Sequence, residues 1–89
     1  MTHMFVRVTV DDYGTFREAY DTAEPIRQSA GSTGNSVYQA VDNPNEITVR
    51  IEFPSVDAAK QYSTSDELRE CMQAVGIEGP PTIWFVNDT

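Results

Sequence analysis

Cysteine, histidine, tryptophan and lysine each occur once in this sequence of 89 residues, as Cys71, His3, Trp84 and Lys60. A lone cysteine cannot build a disulfide framework, so Cys71, between Glu70 and Met72 in a helical stretch, reads as a free packing thiol of a reducing compartment. One histidine, one cysteine and no spaced carboxylate–histidine set give no metal-ligand pattern, and neither a metal nor a cofactor is expected. Gly31 and Gly34 are followed by neither a helix nor the required lysine, so they serve a turn and not a phosphate-binding loop. No run approaches the about 20 apolar residues of a membrane span, and the start lacks a basic segment leading into an apolar one; no membrane partner is expected, and the expected location is cytoplasmic.

Positive charge is also scarce. Six basic residues face fourteen acidic ones, a formal net charge of −8, which repels phosphate backbones and excludes nucleic acid as an expected partner. The acidic excess is scattered, as on a surface adapted to high salt, although ordinary acidic proteins share this composition.

What is present is periodicity. Residues 4–10 alternate strictly, with Val6, Val8 and Val10 on one face and Phe5, Arg7 and Thr9 on the other, the mark of a half-buried strand that Asp11 and Asp12 end. From Tyr13 to Ala30 the apolar spacing becomes helical through Phe16, Ala19, Tyr20 and Ala23; Pro25 predicts a break near Ala23–Glu24. A loop over 31–35 leads to a second strand near 35–41. Asp42-Asn43-Pro44-Asn45 is a turn signal, and 46–53 alternates again, so strands two and three should form a hairpin. Ser55 and Ser65 are candidate caps for two short helices, or one broken helix, over 55–75. Gly79-Pro80-Pro81 then predicts an extended entry to a last strand over 82–87.

The order βαββαβ predicts one α+β domain spanning 1–89, a ferredoxin-like four-stranded antiparallel sheet with the first and third strands central and the helices on one face. The helices should cover the aliphatic face. The other face carries Phe5, Arg7, Tyr38, Arg50, Glu52 and Trp84, too aromatic for water and too charged for a dry core. It is rich in aromatics and arginine and holds no lysine, as interfaces do. Chains this short bury only about 60–70% of their unfolded surface. A homodimer joined through Phe5, Arg7, Arg50, Glu52 and Trp84 is therefore expected, with Arg7 or Arg50 paired to a carboxylate, Glu52 first.

Several stretches together carry a family resemblance: Asp12-Tyr13 with Phe16 and Tyr20; Pro25-Ile26-Arg27 leading to Ala30-Gly31-Ser32; Asp42-Asn43-Pro44-Asn45-Glu46; Phe53; Ser65-Asp66-Glu67-Leu68-Arg69-Glu70 with Met72; and Gly76 through Gly79-Pro80-Pro81 to Trp84-Phe85. On these the chain resembles the dimeric α/β-barrel superfamily, in particular the small stand-alone domains related to antibiotic-biosynthesis monooxygenases and described as cyclase-like. The resemblance implies the fold and a cavity between helices and sheet. It does not fix an activity, because the superfamily spans cofactor-independent oxygenases, isomerases, haem-degrading enzymes and domains with no known activity.

Phe16, Tyr20, Tyr62, Leu68 and Met72 are the candidate lining of such a cavity, with Arg27, Asn35 and Tyr38 near its mouth to orient a polar group of a small-molecule ligand. Core packing is the competing role for the same side chains. Two functions follow: a dimeric small-molecule-binding domain without catalysis, or a cofactor-independent monooxygenase or cyclase-like enzyme acting on an aromatic or polyketide-like compound. In the second, His3, Tyr20, Tyr62 or Trp84 would carry the chemistry, against the expectation that His3 sits on a mobile terminus. No motif assigns a catalytic residue.

Overall fold

The alternation in residues 4–10 and 46–53 becomes the centre of a four-stranded sheet in the computed structural model, which describes Met1–Thr89. The elements are β1 (Thr2–Val10), α1 (Tyr13–Thr22), α2 (Glu24–Ser29), β2 (Gly34–Ala40), β3 (Asn43–Phe53), α3 (Val56–Ser63), α4 (Asp66–Val75) and β4 (Ile77–Asn87). Strand order is β2-β3-β1-β4, every pair antiparallel. This is the expected ferredoxin-like α+β architecture.

Side chains of even number in β1 (Met4, Val6, Val8, Val10) and odd number in β3 (Ile47, Val49, Ile51, Phe53) point to one face, where they are buried with Phe16, Ala59, Tyr62, Leu68 and Val75 of the helices. The cross-strand register, Val6 opposite Val49 and Met4 opposite Ile51, makes these two rows one apolar surface. No helix is long and apolar enough to cross a membrane.

Local chemistry sets the breaks. Asp12 caps α1 by accepting from the Thr15 N–H at 2.9 Å, while the Asn45 side chain accepts from the Tyr13 N–H at 3.2 Å and so ties the β3 start to the helix. Pro25 has no N–H with which to continue α1, and the helix restarts at Glu24 with Pro25 in its first turn. Ser55 and Ser65 each accept from the N–H three residues on, at 3.2 Å, separating α3 from α4. Gly76 ends α4 at φ 67°, a left-handed conformation that glycine adopts without penalty.

Three boundaries differ from the expectation. β1 begins at Thr2, and its terminus is held to β4 by the Asp88 N–H donating to the Met1 carbonyl at 3.0 Å and by Thr2 Oγ1 donating to Asn87 Oδ1 at 2.6 Å. The hairpin turns at Val41–Asp42; Asn43, Pro44 and Asn45, expected in the turn, already lie in β3 as an irregularity opposite Gln39 and Ala40. β4 begins at Ile77, five residues early: Ile77 and Glu78 pair with Val10 and Thr9, and Gly79-Pro80-Pro81 form a bulge opposite Val8. Prolines fit there because β4 is an edge strand, whose outward N–H groups need no partner.

Candidate functional site

Where the helices meet the sheet, packing is incomplete. A cavity of about 60 Å³ lies between them, with fourteen of its fifteen lining residues apolar. Val6, Val8, Val49 and Ile51 form its floor, Phe16, Ala19 and Tyr20 of α1 one wall, and Tyr62 of α3 with Leu68, Cys71, Met72 and Val75 of α4 the other. The helical period places them: Leu68, Cys71, Met72 and Val75 follow the i, i+3, i+4, i+7 stripe of α4. Phe16 and Tyr20, one turn apart, have ring centroids 5.6 Å apart. A cavity of about 10–15 Å³ already holds a water, and about 150 Å³ suffices for benzene, so this one stands between the two.

Arg27 is the one charged residue on the wall, only 2% exposed. The helix restart after Ala23 turns it inward. Its Nη2 donates to Glu24 Oε2 at 2.6 Å and to the Tyr20 carbonyl at 2.8 Å, and the guanidinium carbon lies 3.7 Å from the centre of the Tyr20 ring. Its Nε is buried without a partner. The hydrogen bond from Arg27 holds the Glu24 carboxyl below its ordinary range. Tyr20 donates its hydroxyl to Asn35 Oδ1 at 2.7 Å, and Asn35 Nδ2 in turn donates to Glu24 Oε2 at 3.3 Å.

Burial pushes the Tyr20 hydroxyl up to about 12 and raises the Tyr62 hydroxyl and the Cys71 thiol as well, with Arg27 opposing it in each case. All three are therefore neutral near pH 7. They can donate hydrogen bonds, but none is a ready base or nucleophile.

Of the eight residues expected at a pocket, six line the cavity: Phe16, Tyr20, Arg27, Tyr62, Leu68 and Met72. Asn35 stands behind Tyr20 as its hydrogen-bond acceptor. Tyr38 does not belong there: it pairs with Thr48, its side chain lies on the opposite sheet face, and it is 50% exposed. The sequence reading missed Glu24 and Cys71. The Glu24–Arg27 spacing of i, i+3 and the α4 stripe were the available signals.

The uncovered face carries the other set. Phe5 stacks on Trp84 with centroids 5.3 Å apart and planes within 10°, since the β1–β4 register sets them side by side. Arg50 Nη1 lies 3.6 Å from Glu52 Oε2 and 3.1 Å from His3 Nδ1, and Arg7 Nε lies 3.9 Å from Glu46. The expected charge pairing on this face is thus present within one chain. His3 is not frayed: its Nε2 is 2.7 Å from Asp88 Oδ1, a contact that holds the Asp88 carboxyl below its ordinary range. His3 and Trp84 are separated from the cavity by the sheet, so neither can serve chemistry inside it.

A four-stranded antiparallel sheet with a helix-covered cavity on one side and an aromatic, charge-paired face on the other defines the class of the fold. It is the fold of the antibiotic biosynthesis monooxygenase-like proteins. A protein of Bordetella bronchiseptica provisionally named an antibiotic biosynthesis monooxygenase superposes with a TM-score of 0.85 at 17% identity, over 99% of this chain and 96% of that one. One of the same provisional name from Nitrosomonas europaea gives 0.78 at 15% identity, over 99% and 98%. A mutant of SnoaB, a cofactor-independent oxygenase from Streptomyces nogalater, gives 0.78 at 11% identity, over 98% and 91%. No protein-family model matches the sequence, and a comparison with curated proteins gives no match.

Proposed function

We propose that this chain is a small-molecule-binding domain that works as a homodimer, with its ligand in the cavity between helices and sheet. The observation that carries the binding reading is the cavity itself, a gap in the apolar core with one buried arginine on its wall. Protein interiors pack to crystal-like density, and a void that admits more than one water is uncommon in a chain of this size. Methyl NMR in the presence of small apolar probes at millimolar concentration tests it. Binding should move the Val6, Val49 and Leu68 methyl signals while those of Val37 and Val86 stay; if no probe moves the first group, the cavity is only a packing defect.

The homodimer rests on the other face. Trp84, stacked on Phe5 and 37% exposed, gains no shelter from the helices of its own chain. Roughly 90 Å² of its about 250 Å² is thus still open, worth about 2 kcal/mol at about 25 cal/mol per Å², and a second sheet face would supply that burial. Sedimentation at micromolar concentration should give twice the 9.9 kDa chain mass; a 9.9 kDa particle with water-exposed tryptophan emission contradicts the dimer.

A second reading, a cofactor-independent oxygenase of an aromatic or polyketide-like compound, draws its support from the likeness in fold to SnoaB. Binding is favoured over it because Tyr20, Tyr62 and Cys71 are all held neutral. The gap, at about 60 Å³, is also well under the about 150 Å³ of a cavity that holds benzene. Oxygen uptake with an aromatic substrate that vanishes in Tyr62→Phe would reverse the preference.

A further inference from the structure

On the uncovered sheet face the partners of His3 dictate which of its ring nitrogens carries hydrogen. Nε2 stands 2.7 Å from Asp88 Oδ1, and that carboxyl, held below its ordinary range by the contact, is ionised near neutral pH and only accepts; Nε2 therefore donates. Nδ1 stands 3.1 Å from Arg50 Nη1, and a guanidinium only donates, so Nδ1 accepts. The arrangement is that of a neutral imidazole. Arg50 Nη2 also donates to Ser36 Oγ at 3.2 Å, and Ser36 and Arg50 together hold the neighbouring Tyr38 hydroxyl below its ordinary range. His3 stands opposite Glu52 in the β1–β3 register, with Arg50 two residues back on the same side of β3. Glu52 Oε2 consequently lies near both, 3.6 Å from Arg50 Nη1 and 3.9 Å from His3 Nδ1, while Oε1 accepts from Thr33 Oγ1 at 2.9 Å. The remaining charge beside the group is the Met1 amino group, 3.9 Å from Asp88 Oδ2.

We propose that His3 is a proton-operated latch on Arg50: a proton taken up at Nδ1 turns that acceptor into a donor, expels Arg50 Nη1 and passes Glu52 Oε2 from the guanidinium to the imidazolium. An Nδ1–H and an Arg50 N–H cannot share a 3.1 Å line, since both are donors and both groups then carry positive charge. Glu52 Oε2, within 4 Å of each, is the acceptor at hand for the new donor. Asp88 keeps its bond throughout, because Nε2 donates in either form; the ring stays in place and only its Nδ1 side changes partner. Imidazole changes charge between about pH 5 and 8, so the exchange belongs to mild acid. The consequence for association rests on the homodimer reading above. Between two apposed sheets water does not replace the lost acceptor, and a desolvated guanidinium short of a partner is costly. The paired form thus resists the proton that the separated chains accept, and acid weakens the dimer.

His3 is the only histidine, so its two ring nitrogens are read directly in protein labelled with nitrogen-15 histidine. At about pH 7.5 Nε2 should carry hydrogen and Nδ1 none; on acidification to about pH 5.5 Nδ1 should gain one. The Arg50 Nε–H resonance, in arginine-labelled protein, should move along the same titration curve. In sedimentation the dimer dissociation constant should rise at least about tenfold over that interval. His3→Asn sets an amide oxygen near the place of Nδ1, where it accepts from Arg50 and takes up no proton, so its dissociation constant should change by less than about twofold. If that variant fails to fold, the resonances of the unaltered chain carry the test. An Nδ1 that bears hydrogen at about pH 7.5, or an Arg50 resonance that ignores the His3 titration, overturns the latch. A dissociation constant that holds steady or falls in acid, or a rise that survives in His3→Asn and so belongs to the carboxylates, overturns its link to association. If the unaltered chain sediments as a 9.9 kDa particle under both conditions, the homodimer reading fails instead, and the two resonances still decide the latch.

Discussion

Replacing Tyr20 by Phe separates a hydrogen bond from a burial effect, because the two act in different pH ranges. The substitution keeps the ring beside Phe16 and under the Arg27 guanidinium, and deletes only the hydroxyl that donates to Asn35 Oδ1 at 2.7 Å. Near pH 8 the loss of one neutral, part-buried hydrogen bond should cost about 1 kcal/mol. At high pH a second effect enters with the opposite sign for the comparison. The phenol ionises at its ordinary 10.0 in the unfolded chain and at about 12 in the folded one. Below the first value both states are neutral and nothing differs. Between the two, the unfolded chain loses its proton first, so the native state of the unaltered protein loses stability as pH rises. Two pH units correspond at face value to about 2.7 kcal/mol; the residue is only half-buried, and solvent screening brings this to about 1 kcal/mol. The Phe variant has no such slope. Its deficit near pH 8 should therefore shrink to about zero by pH 12, while Tyr62, present in both proteins, cancels from the difference. Urea unfolding followed by circular dichroism at fixed protein concentration gives both numbers. A deficit that stays constant or widens with pH would refute the reasoning, since Tyr20 would then be no more buried than in the unfolded chain.

Phe53→Ala should cost about 3–5 kcal/mol, because Phe53 is fully buried, with its ring centroid 5.7 Å from that of Tyr62; urea midpoints measure it. Gly76→Ala should cost more than Gly31→Ala. Both positions have positive φ, but an added Cβ at Gly76 meets Asp11 Oδ2 at 2.8 Å and at Gly31 meets nothing within 4 Å, so thermal unfolding should rank them in that order, with Gly31→Ala losing about 1 kcal/mol. Arg50→Leu removes the partner of Glu52 and of His3 on the uncovered face, and light scattering should show altered association with an unchanged far-ultraviolet spectrum.

The central strands were legible because their alternation has a single physical solution. Val6, Val8 and Val10 cannot share a face with Arg7, and β3 repeats the pattern, so pairing the two rows was forced. The break at Pro25 was legible for a comparable reason, a missing N–H. The misplaced boundaries share the opposite cause: each depends on what a neighbour supplies. Pro80 and Pro81 argue against a strand unless the strand is an edge with a bulge, and Asn43-Pro44-Asn45 argues for a turn unless the Asn45 side chain is held by the Tyr13 N–H. Neither fact is local in sequence.

The cavity divides along the same line. Helical period alone put Phe16, Tyr20, Leu68 and Met72 on one wall, since residues three and four apart must share a face. Tyr38 was misassigned although parity was available: Val37 opposite Val49 faces the helices, so its neighbour must face away. Arg27 shows where sequence reading stops. A guanidinium beside a proline break looks like a loop-mouth cation, and arginine is almost never fully buried unless it is paired. Only the folded arrangement reveals that Glu24 pairs it, that the Tyr20 ring covers it, and that its Nε is buried.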